Sequence, residues 1–310
     1  MDPSTPLTIF ELRALRPEAL DVLDRQPPEG LFGPLAASLA GLHVEADFAF
    51  LFFVQEVDLS PFLAAQPLLE LRTVHRLRYD QWQDGLEGRP LKVGPLTVRP
   101  CLRAVEVPAG QDELGGRPPE RRPQRAARRD EPLDELLIDP GLAFGYGGHP
   151  TTKTCLEFLL RLYRPGPLPT GPPPATALDL GCGTGILALA AVRLGAAEAL
   201  GVDHSHLAAD AARRNVRLNR LEGRVKIERG WAQTWSAHPA ELLTANLPLF
   251  VLRDLAALEA FKGRRCLIVS GLLQEEGAAF LDLLAPAFRV VDAVRSDRWA
   301  SYLLQASTKV

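Results

Sequence analysis

The sequence predicts an α/β fold, in which a small N-terminal α+β domain precedes a seven-stranded sheet that is mostly parallel. From residue 175 onward, short apolar runs alternate with helical patterns. Such alternation requires a parallel sheet with helices on both faces. The last two predicted strands have no helix between them, so we expect an antiparallel C-terminal hairpin.

The elements of the C-terminal region follow from apolar periodicity and turn residues. We predict strands at 175–180, 199–202, 225–228, 242–245, 266–270, 288–294 and 300–306. We predict helices at 186–194, 207–218, 250–261 and 273–284. This order outlines a Rossmann-like sheet of the class I methyltransferase type.

The first hundred residues mix helical and strand-like patterns. Residues 34–42 are typical of a short helix, and the aromatic run 48–54 of a buried strand. Residues 91–99 predict a hairpin with its turn at Gly94-Pro95. We therefore predict a small α+β domain over residues 1–105; that it recognises the substrate is implied only by the resemblance described below.

Residues 106–140 are predicted to be a flexible linker rich in Arg and Pro. The segment Arg117–Arg129 lacks apolar residues that could form a buried face. Its charge allows a weak electrostatic contact with RNA, but such a run is equally typical of a solvated linker with no partner. The catalytic domain is then expected over residues 141–310.

Composition limits the classes of function. The net charge of −3 gives no overall attraction to nucleic acid or anionic membrane. No apolar run is long enough to span a bilayer, and no signal peptide pattern is present. The four cysteines are scattered without a CxxC pair, which favours a reducing cytoplasm and no metal site. We expect a cytoplasmic monomer.

A glycine-rich turn follows the first strand of the predicted sheet. Gly181, Gly183 and Gly185 let the backbone turn sharply and approach a ligand. Their spacing differs from the Gly-x-Gly-x-x-Gly of dinucleotide enzymes, which disfavours a pyrophosphate cradle. Asp179 before the turn suits the charged amino-acid end of S-adenosylmethionine, and Asp203 after the next strand suits ribose hydroxyls.

A structural alternative accompanies each of these predictions. The glycines alone make a tight turn, and an acid such as Asp203 can cap a helix. His204 and His206 could suggest a metal, but without further ligands they are better explained as solvent-facing residues.

A second candidate site lies after the strand at 242–245. Asn246 is placed where open α/β sheets bind ligands, and its side-chain carbonyl can accept from an attacking amine. The amine must be neutral to attack, so positioning and desolvation favour the reaction. The alternative is an Asn-x-Pro turn that only precedes a helix.

Several segments together resemble the PrmA family of methyltransferases. The run Leu142–Thr152, which contains Phe-Gly and His-Pro-Thr-Thr, is similar to that family's signature. The likeness continues through 178–188, Ala245-Asn246, 267–273 and Trp299, and it includes Trp82 and the hairpin near 93–100. It is good from about residue 80 to 305 and weak before that.

The resemblance implies methylation of lysine or N-terminal amines of ribosomal protein L11, with S-adenosylmethionine as the cofactor. It also implies cofactor contacts at these residues: Thr152, Gly181, Asp203 and Asn246. Further predicted cofactor contacts are Asp179, Gly183, Gly185, Phe144 and Gly145. Asn246 and His149 are the candidate catalytic residues, although a structural His149 that closes the loop is favoured.

The sequence departs from the family pattern at three positions. Tyr146 and Gly148 replace two threonines, which changes the acceptor pocket. Trp231 follows the third strand, where many class I enzymes have an acid that binds adenine; it either lines that pocket or lies in the core, and the core is favoured.

Two other functions stay open. One is a class I methyltransferase that acts on a different protein or a small-molecule amine. The other is a non-catalytic homologue that binds RNA or the ribosome through the Arg-rich linker.

Overall fold

A computed structural model describes most of the chain. The described residues are 5–16, 19–20, 22–23, 28–45, 48–78, 90–100, 135–139, 149–164, 171–296 and 298–307. Within these ranges no helix is long and apolar enough to cross a membrane.

A seven-stranded sheet forms the centre of the C-terminal region. Its strands are β8 (Thr176–Leu180), β9 (Glu198–Asp203), β10 (Val225–Arg229), β11 (Leu242–Asn246), β12 (Cys266–Leu273), β13 (Phe288–Ser296) and β14 (Trp299–Ala306). They lie in the spatial order β10-β9-β8-β11-β12-β14-β13. Neighbouring strands from β10 to β12 are parallel, whereas β14 is antiparallel to both β12 and β13. The predicted fold class is confirmed.

Helices cover both faces of this sheet, because each strand buries apolar side chains on both sides. The helices of this region are α3 (Pro150–Tyr163), α4 (Ile186–Leu194), α5 (His206–Leu218), α6 (Ala232–Trp235), α7 (Leu249–Ala256), α8 (Glu259–Lys262) and α9 (Gly277–Leu284). One face of the sheet packs against α3, α4 and α5, and the other against α7, α8 and α9.

The N-terminal region has its own antiparallel sheet and its own core. The strands β1 (Pro6–Ala14), β2 (Leu39–Glu45), β3 (Phe48–Phe53) and β4 (Leu69–Arg78) lie in the order β2-β3-β1-β4. The core between this sheet and its helices contains Phe10, Phe32, Phe53 and Phe62, with ring centroids 4.8–6.2 Å apart. The helices are α1 (Pro28–Phe32) and α2 (Ser60–Ala65).

A third, small sheet packs against the C-terminal core. The hairpin of β5 (Leu91–Val93) and β6 (Leu96–Pro100) turns at Gly94-Pro95, as predicted. Strand β7 (Glu135–Ile138) is parallel to β6 and lies inside the range predicted to be linker. Val98 and Ile138 are fully buried together with residues of α3 and α4. The hairpin, although predicted to belong to the N-terminal domain, therefore packs on the C-terminal one.

Three predicted helices have different bounds in the structure. Residues 34–42 form a 3-10 helix at Gly33–Ser38 and then β2, because pairing with β3 outweighs a weak local helical pattern. The helix predicted at 250–261 is divided into α7 and α8. The helix predicted to begin at 273 begins at Gly277, since Leu273 ends β12.

Candidate active site

The site lies at the carboxyl ends of β8, β9 and β11. From β8 the chain proceeds outward through β9 and β10, whereas β11 and β12 lie on the opposite side of β8. This reversal is the topological switch point at which open α/β sheets bind ligands. It brings together Asp179, the glycine turn, Asp203 and Asn246, as the sequence predicted.

Asp203 supports the glycine turn directly. Its Oδ2 accepts from the N–H of Gly183 at 2.9 Å, and its Oδ1 accepts from the N–H of Ser205 at 2.9 Å. The helix cap of α5 is Ser205, whose hydroxyl accepts from the N–H of Ala208. Asp203 therefore does not have the simple capping role considered as its alternative. Its side chain is only 10% exposed, so a ligand would meet a carboxylate already fixed in place.

Most N–H groups of the glycine turn are used within the protein. Those of Gly181 and Cys182 donate to the carbonyl of Val202, at 2.8 and 3.0 Å. That of Gly185 donates to the carbonyl of Cys182 at 2.7 Å. A phosphate cradle needs such groups turned toward the ligand. The turn is therefore a rigid support and not an anion cradle, which agrees with its spacing.

Two glycines allow Leu247, the residue after Asn246, to pack closely with its side chain and its backbone. A Cβ on Gly181 would lie 2.2 Å from Leu247 Cδ2, and one on Gly271 would lie 2.5 Å from the Leu247 carbonyl oxygen. Gly271 also has φ of +87°, a conformation that favours glycine. Close packing of Leu247 thus fixes the turn that presents Asn246.

Asn246 is connected to His149 through Thr151. The Asn246 Nδ2 donates to the Thr151 hydroxyl at 3.1 Å, and that hydroxyl lies 2.7 Å from His149 Nδ1. The Thr151 N–H also donates to Nδ1, at 3.3 Å, so this nitrogen is an acceptor and the hydroxyl donates to it. The network leaves the carbonyl oxygen of the Asn246 amide as the acceptor for another group.

His149 caps α3 and packs edge-on against Trp299. The two ring centroids are 5.2 Å apart, with an interplanar angle of 69°. Trp299 is itself mostly buried in β14. These contacts favour the structural role that the sequence suggested for His149.

Two buried polar atoms near the switch point have no hydrogen-bond partner among the described residues: Asp179 Oδ2 and Thr152 Oγ1. Both residues are only 1% exposed. Burial raises the pKa of Asp179 to about 7, and two hydrogen bonds oppose that rise: one at 2.6 Å from the Thr244 hydroxyl and a weaker one from the backbone N–H of Ala188. A buried carboxyl oxygen and a buried hydroxyl without partners fit a ligand that carries a cationic amine and a carboxylate.

The prediction that Trp231 lies in the core is wrong. Trp231 is 45% exposed and stacks on His204, with ring centroids 4.9 Å apart and an angle of 8°. The reason is local: Trp231 lies directly after β10, the edge strand of the sheet, and precedes the short helix Ala232–Trp235. His204 is exposed, as predicted, and no group of three potential metal ligands occurs among the described residues.

Sequence reasoning missed some residues that shape the site. Thr244 has no motif of its own, and only strand pairing places it opposite Asp179. Gly271 lies in the segment 267–273 that resembles the PrmA family, but no role was predicted for it. Asn215 of α5 donates to the carbonyl of Thr184 in the glycine turn at 2.9 Å. A polar residue at a helix position otherwise facing the core was the available signal for Asn215.

Part of the predicted site lies outside the described residues. This applies to Phe144, Gly145, Tyr146 and Gly148 of the signature, and also to Trp82 and the segment Arg117–Arg129.

The sheet order, the switch point and the polar groups around it define a class I methyltransferase, the class that uses S-adenosylmethionine. The residues fit this cofactor, given the fixed Asp203 carboxylate and the two unpartnered buried atoms of Asp179 and Thr152.

Comparisons with known proteins give the family. The family model described as ribosomal protein L11 methyltransferase (PrmA) matches residues 124–307. The ribosomal protein L11 methyltransferase of Shewanella woodyi is 31% identical over 260 residues, which are 83% of this chain and 77% of that protein. The chain belongs to the PrmA family.

Further matches agree with this assignment but are less extensive. The ribosomal protein L11 methyltransferase of Shewanella amazonensis is 40% identical over 169 residues, which are 53% of this chain and 54% of that protein. A crystal structure of ribosomal protein L11 methylase from Lactobacillus delbrueckii subsp. bulgaricus has a TM-score of 0.52 and 22% identity. It covers 71% of this chain and all of that one, and it supports the fold alone.

Proposed function

We propose that this protein is a cytoplasmic, monomeric enzyme that transfers methyl groups from S-adenosylmethionine to amino groups of ribosomal protein L11, at lysine or at the N-terminus. Family membership supports the substrate class. The observation that carries the chemistry is the orientation of Asn246, whose amide nitrogen is held by Thr151.

When bound, S-adenosylmethionine supplies an electrophilic methyl group that leaves its sulfur as the acceptor nitrogen bonds to the carbon. The protein's residues have to hold a neutral amine in line with the bond between that methyl carbon and the sulfur. The Asn246 carbonyl accepts a hydrogen bond from that amine and thereby directs its lone pair away from the amide. Since an amide carries no charge, this contact does not favour the protonated, unreactive amine as a carboxylate would.

The cofactor is proposed to lie between the glycine turn and the first turn of α3. Asp203 accepts from its ribose hydroxyls, and Asp179 pairs with its amino group. Thr152, through its buried hydroxyl, holds its carboxylate. Gly181, Gly183 and Gly185 shape the surface on which it rests, and Phe144 and Gly145 remain predicted contacts.

The test is methylation of purified ribosomal protein L11 with labelled S-adenosylmethionine, followed by mass spectrometry of the labelled sites. Label is expected on amines, and L11 whose amines have been acetylated beforehand should take none. Transfer to acetylated L11 would contradict an amine acceptor. Label on a different protein or a small amine from cell extract, with none on L11, would instead establish the alternative substrate.

A pair of variants tests the role of the amide. Asn246→Ala removes the acceptor, whereas Thr151→Val keeps it and removes only the hydroxyl that orients it. We expect Asn246→Ala to lower kcat far more than Thr151→Val, with similar cofactor affinity in both. Equal kcat in the two variants would show that the amide does not contact the amine.

A further inference from the structure

Two buried asparagines of α5 hold the strand that leads toward the site. Asn215 and Asn219 are 0% and 5% exposed. The Asn215 amide accepts from the N–H of Asp139 at 2.7 Å and donates to its carbonyl at 3.0 Å. The Asn219 amide pairs in the same way with Leu137, at 2.9 and 2.6 Å.

The two spacings match. Residues four apart on a helix rise about 6 Å, and residues two apart on a strand rise about 6.6 Å. One face of α5 therefore satisfies both backbone groups of alternate residues, as a neighbouring strand would. This explains why two amides are buried in a helix that otherwise packs on apolar side chains.

Asn215 alone makes a second connection. Its Nδ2 also donates to the carbonyl of Thr184 in the glycine turn, at 2.9 Å. One turn earlier on the same helix, Ala212 packs against the turn, since a Cβ on Gly185 would lie 3.1 Å from Ala212 Cβ. Among the described residues, the side-chain hydrogen bonds of Asn219 reach only Leu137 and the carbonyl of Asn215.

We propose that Asn215 is a positioning residue for the cofactor: it fixes the glycine turn, through Thr184, to the strand segment at Asp139. The inference rests on the proposed use of S-adenosylmethionine. Without this donor, the Thr184 carbonyl loses a buried hydrogen bond and the turn loses one of its fixed points. A ligand would then have to order the turn as it binds, and its affinity would fall.

The experiment compares Asn215→Ala with Asn219→Ala, a matched control that releases the same strand but leaves the turn untouched. Binding of S-adenosylhomocysteine is measured by calorimetry. We expect the Kd to rise about tenfold in Asn215→Ala and to stay within about twofold in Asn219→Ala. In steady state, KM for S-adenosylmethionine should rise in Asn215→Ala alone, while kcat and KM for the acceptor change little.

Hydrogen exchange gives a readout that does not depend on activity. The amides of residues 181–185 should exchange faster in Asn215→Ala only, whereas that of Leu137 should exchange faster in Asn219→Ala. If Asn215→Ala does not fold, Asn215→Asp keeps the side-chain volume and places an oxygen against the Thr184 carbonyl, with the same expected loss of affinity.

Equal Kd values and equal exchange in the two alanine variants would overturn the positioning role while the proposed function stands. If the unaltered protein fails to bind S-adenosylhomocysteine, both the inference and the proposed function fail.

Discussion

The two sides of the switch point differ in how their polar groups are satisfied. On the turn side, which comprises the glycine turn 181–185 and Asp203, both carboxylate oxygens and most turn N–H groups bond within the protein. On the pocket side, which comprises Asp179, Thr151, Thr152 and Asn246, two buried polar atoms have no hydrogen-bond partner in the part of the chain that the structure describes. The polar groups of the turn side are thus mostly hydrogen-bonded within the protein, whereas the pocket side keeps polar atoms that can bond to a ligand.

This difference separates stability from function. Groups on the turn side support the fold as well as the ligand, so their removal should affect both. Unpartnered groups on the pocket side lower stability in the absence of a ligand, so their removal should weaken binding while leaving the fold as stable or more so. Four variants test the contrast, beginning with the largest expected effect.

Asn246→Ala should lower kcat by about 100-fold or more, because a positioned polar group acts mainly on the transition state. The Kd for S-adenosylhomocysteine should change by less than about threefold. Rates come from steady-state methylation of L11 and affinity from calorimetry. A Kd that rises as much as kcat falls would place Asn246 with the cofactor and not with the amine.

Asp203→Ala should raise the Kd for S-adenosylhomocysteine by about 30-fold and also lower the unfolding temperature, because two internal hydrogen bonds are lost with the ribose contact. Asp203→Asn, which keeps one acceptor oxygen, is the control. Its Kd and its unfolding temperature should lie between those of Asp203→Ala and the unaltered protein. Lost affinity with unchanged stability would show that the turn does not depend on this carboxylate.

Asp179→Asn should change how stability depends on pH. The pKa of Asp179 is about 7 in the folded protein and 3.8 in a model compound, so the native state binds the extra proton between these values. The contribution of Asp179 to the free energy of unfolding therefore decreases as pH rises from about 4 to 7. Between pH 5 and pH 8, the free energy of unfolding of the variant should rise by on the order of 2 kcal/mol relative to that of the unaltered protein.

Urea unfolding at both pH values measures this gain, and the difference between the two proteins cancels other titrations. The same variant should bind S-adenosylhomocysteine more weakly at pH 8, where the carboxylate would pair with the ligand's amine. A variant less stable than the unaltered protein at pH 8 would contradict the assignment of Asp179 to the pocket side.

Thr152→Val should have the smallest effect. It replaces an unpartnered buried hydroxyl by a methyl group of similar size, so the unfolding temperature should stay the same or rise. The Kd for S-adenosylhomocysteine should increase by about fivefold, the value of one hydrogen bond. A clear fall in unfolding temperature would reveal a structural partner for this hydroxyl.

Much of the C-terminal sheet follows from local sequence. The helix at 186–194 was predicted with the bounds that the structure gives, because the glycine turn marks its start and Gly195 its end. Where local signals were weak, tertiary contacts decided: residues 39–42 joined a strand because β3 offered pairing partners. The hairpin 91–99 was predicted correctly but assigned to the wrong neighbour, since composition does not show which core a short sheet joins.

The candidate site divides in the same way. Gly181, Asp203 and Asn246 stand at strand ends in recognisable spacing, so the sequence by itself determined the fold class, the family likeness and the edge of the sheet where the site lies. Only the tertiary structure decided that Thr244 faces Asp179 and that Thr151 holds the Asn246 amide. Those pairs are 65 and 95 residues apart in the chain, and no local periodicity encodes contacts at such separations. Burial is likewise a property of the assembled layers, which is why the raised pKa of Asp179 and the exposure of Trp231 emerged only from the fold.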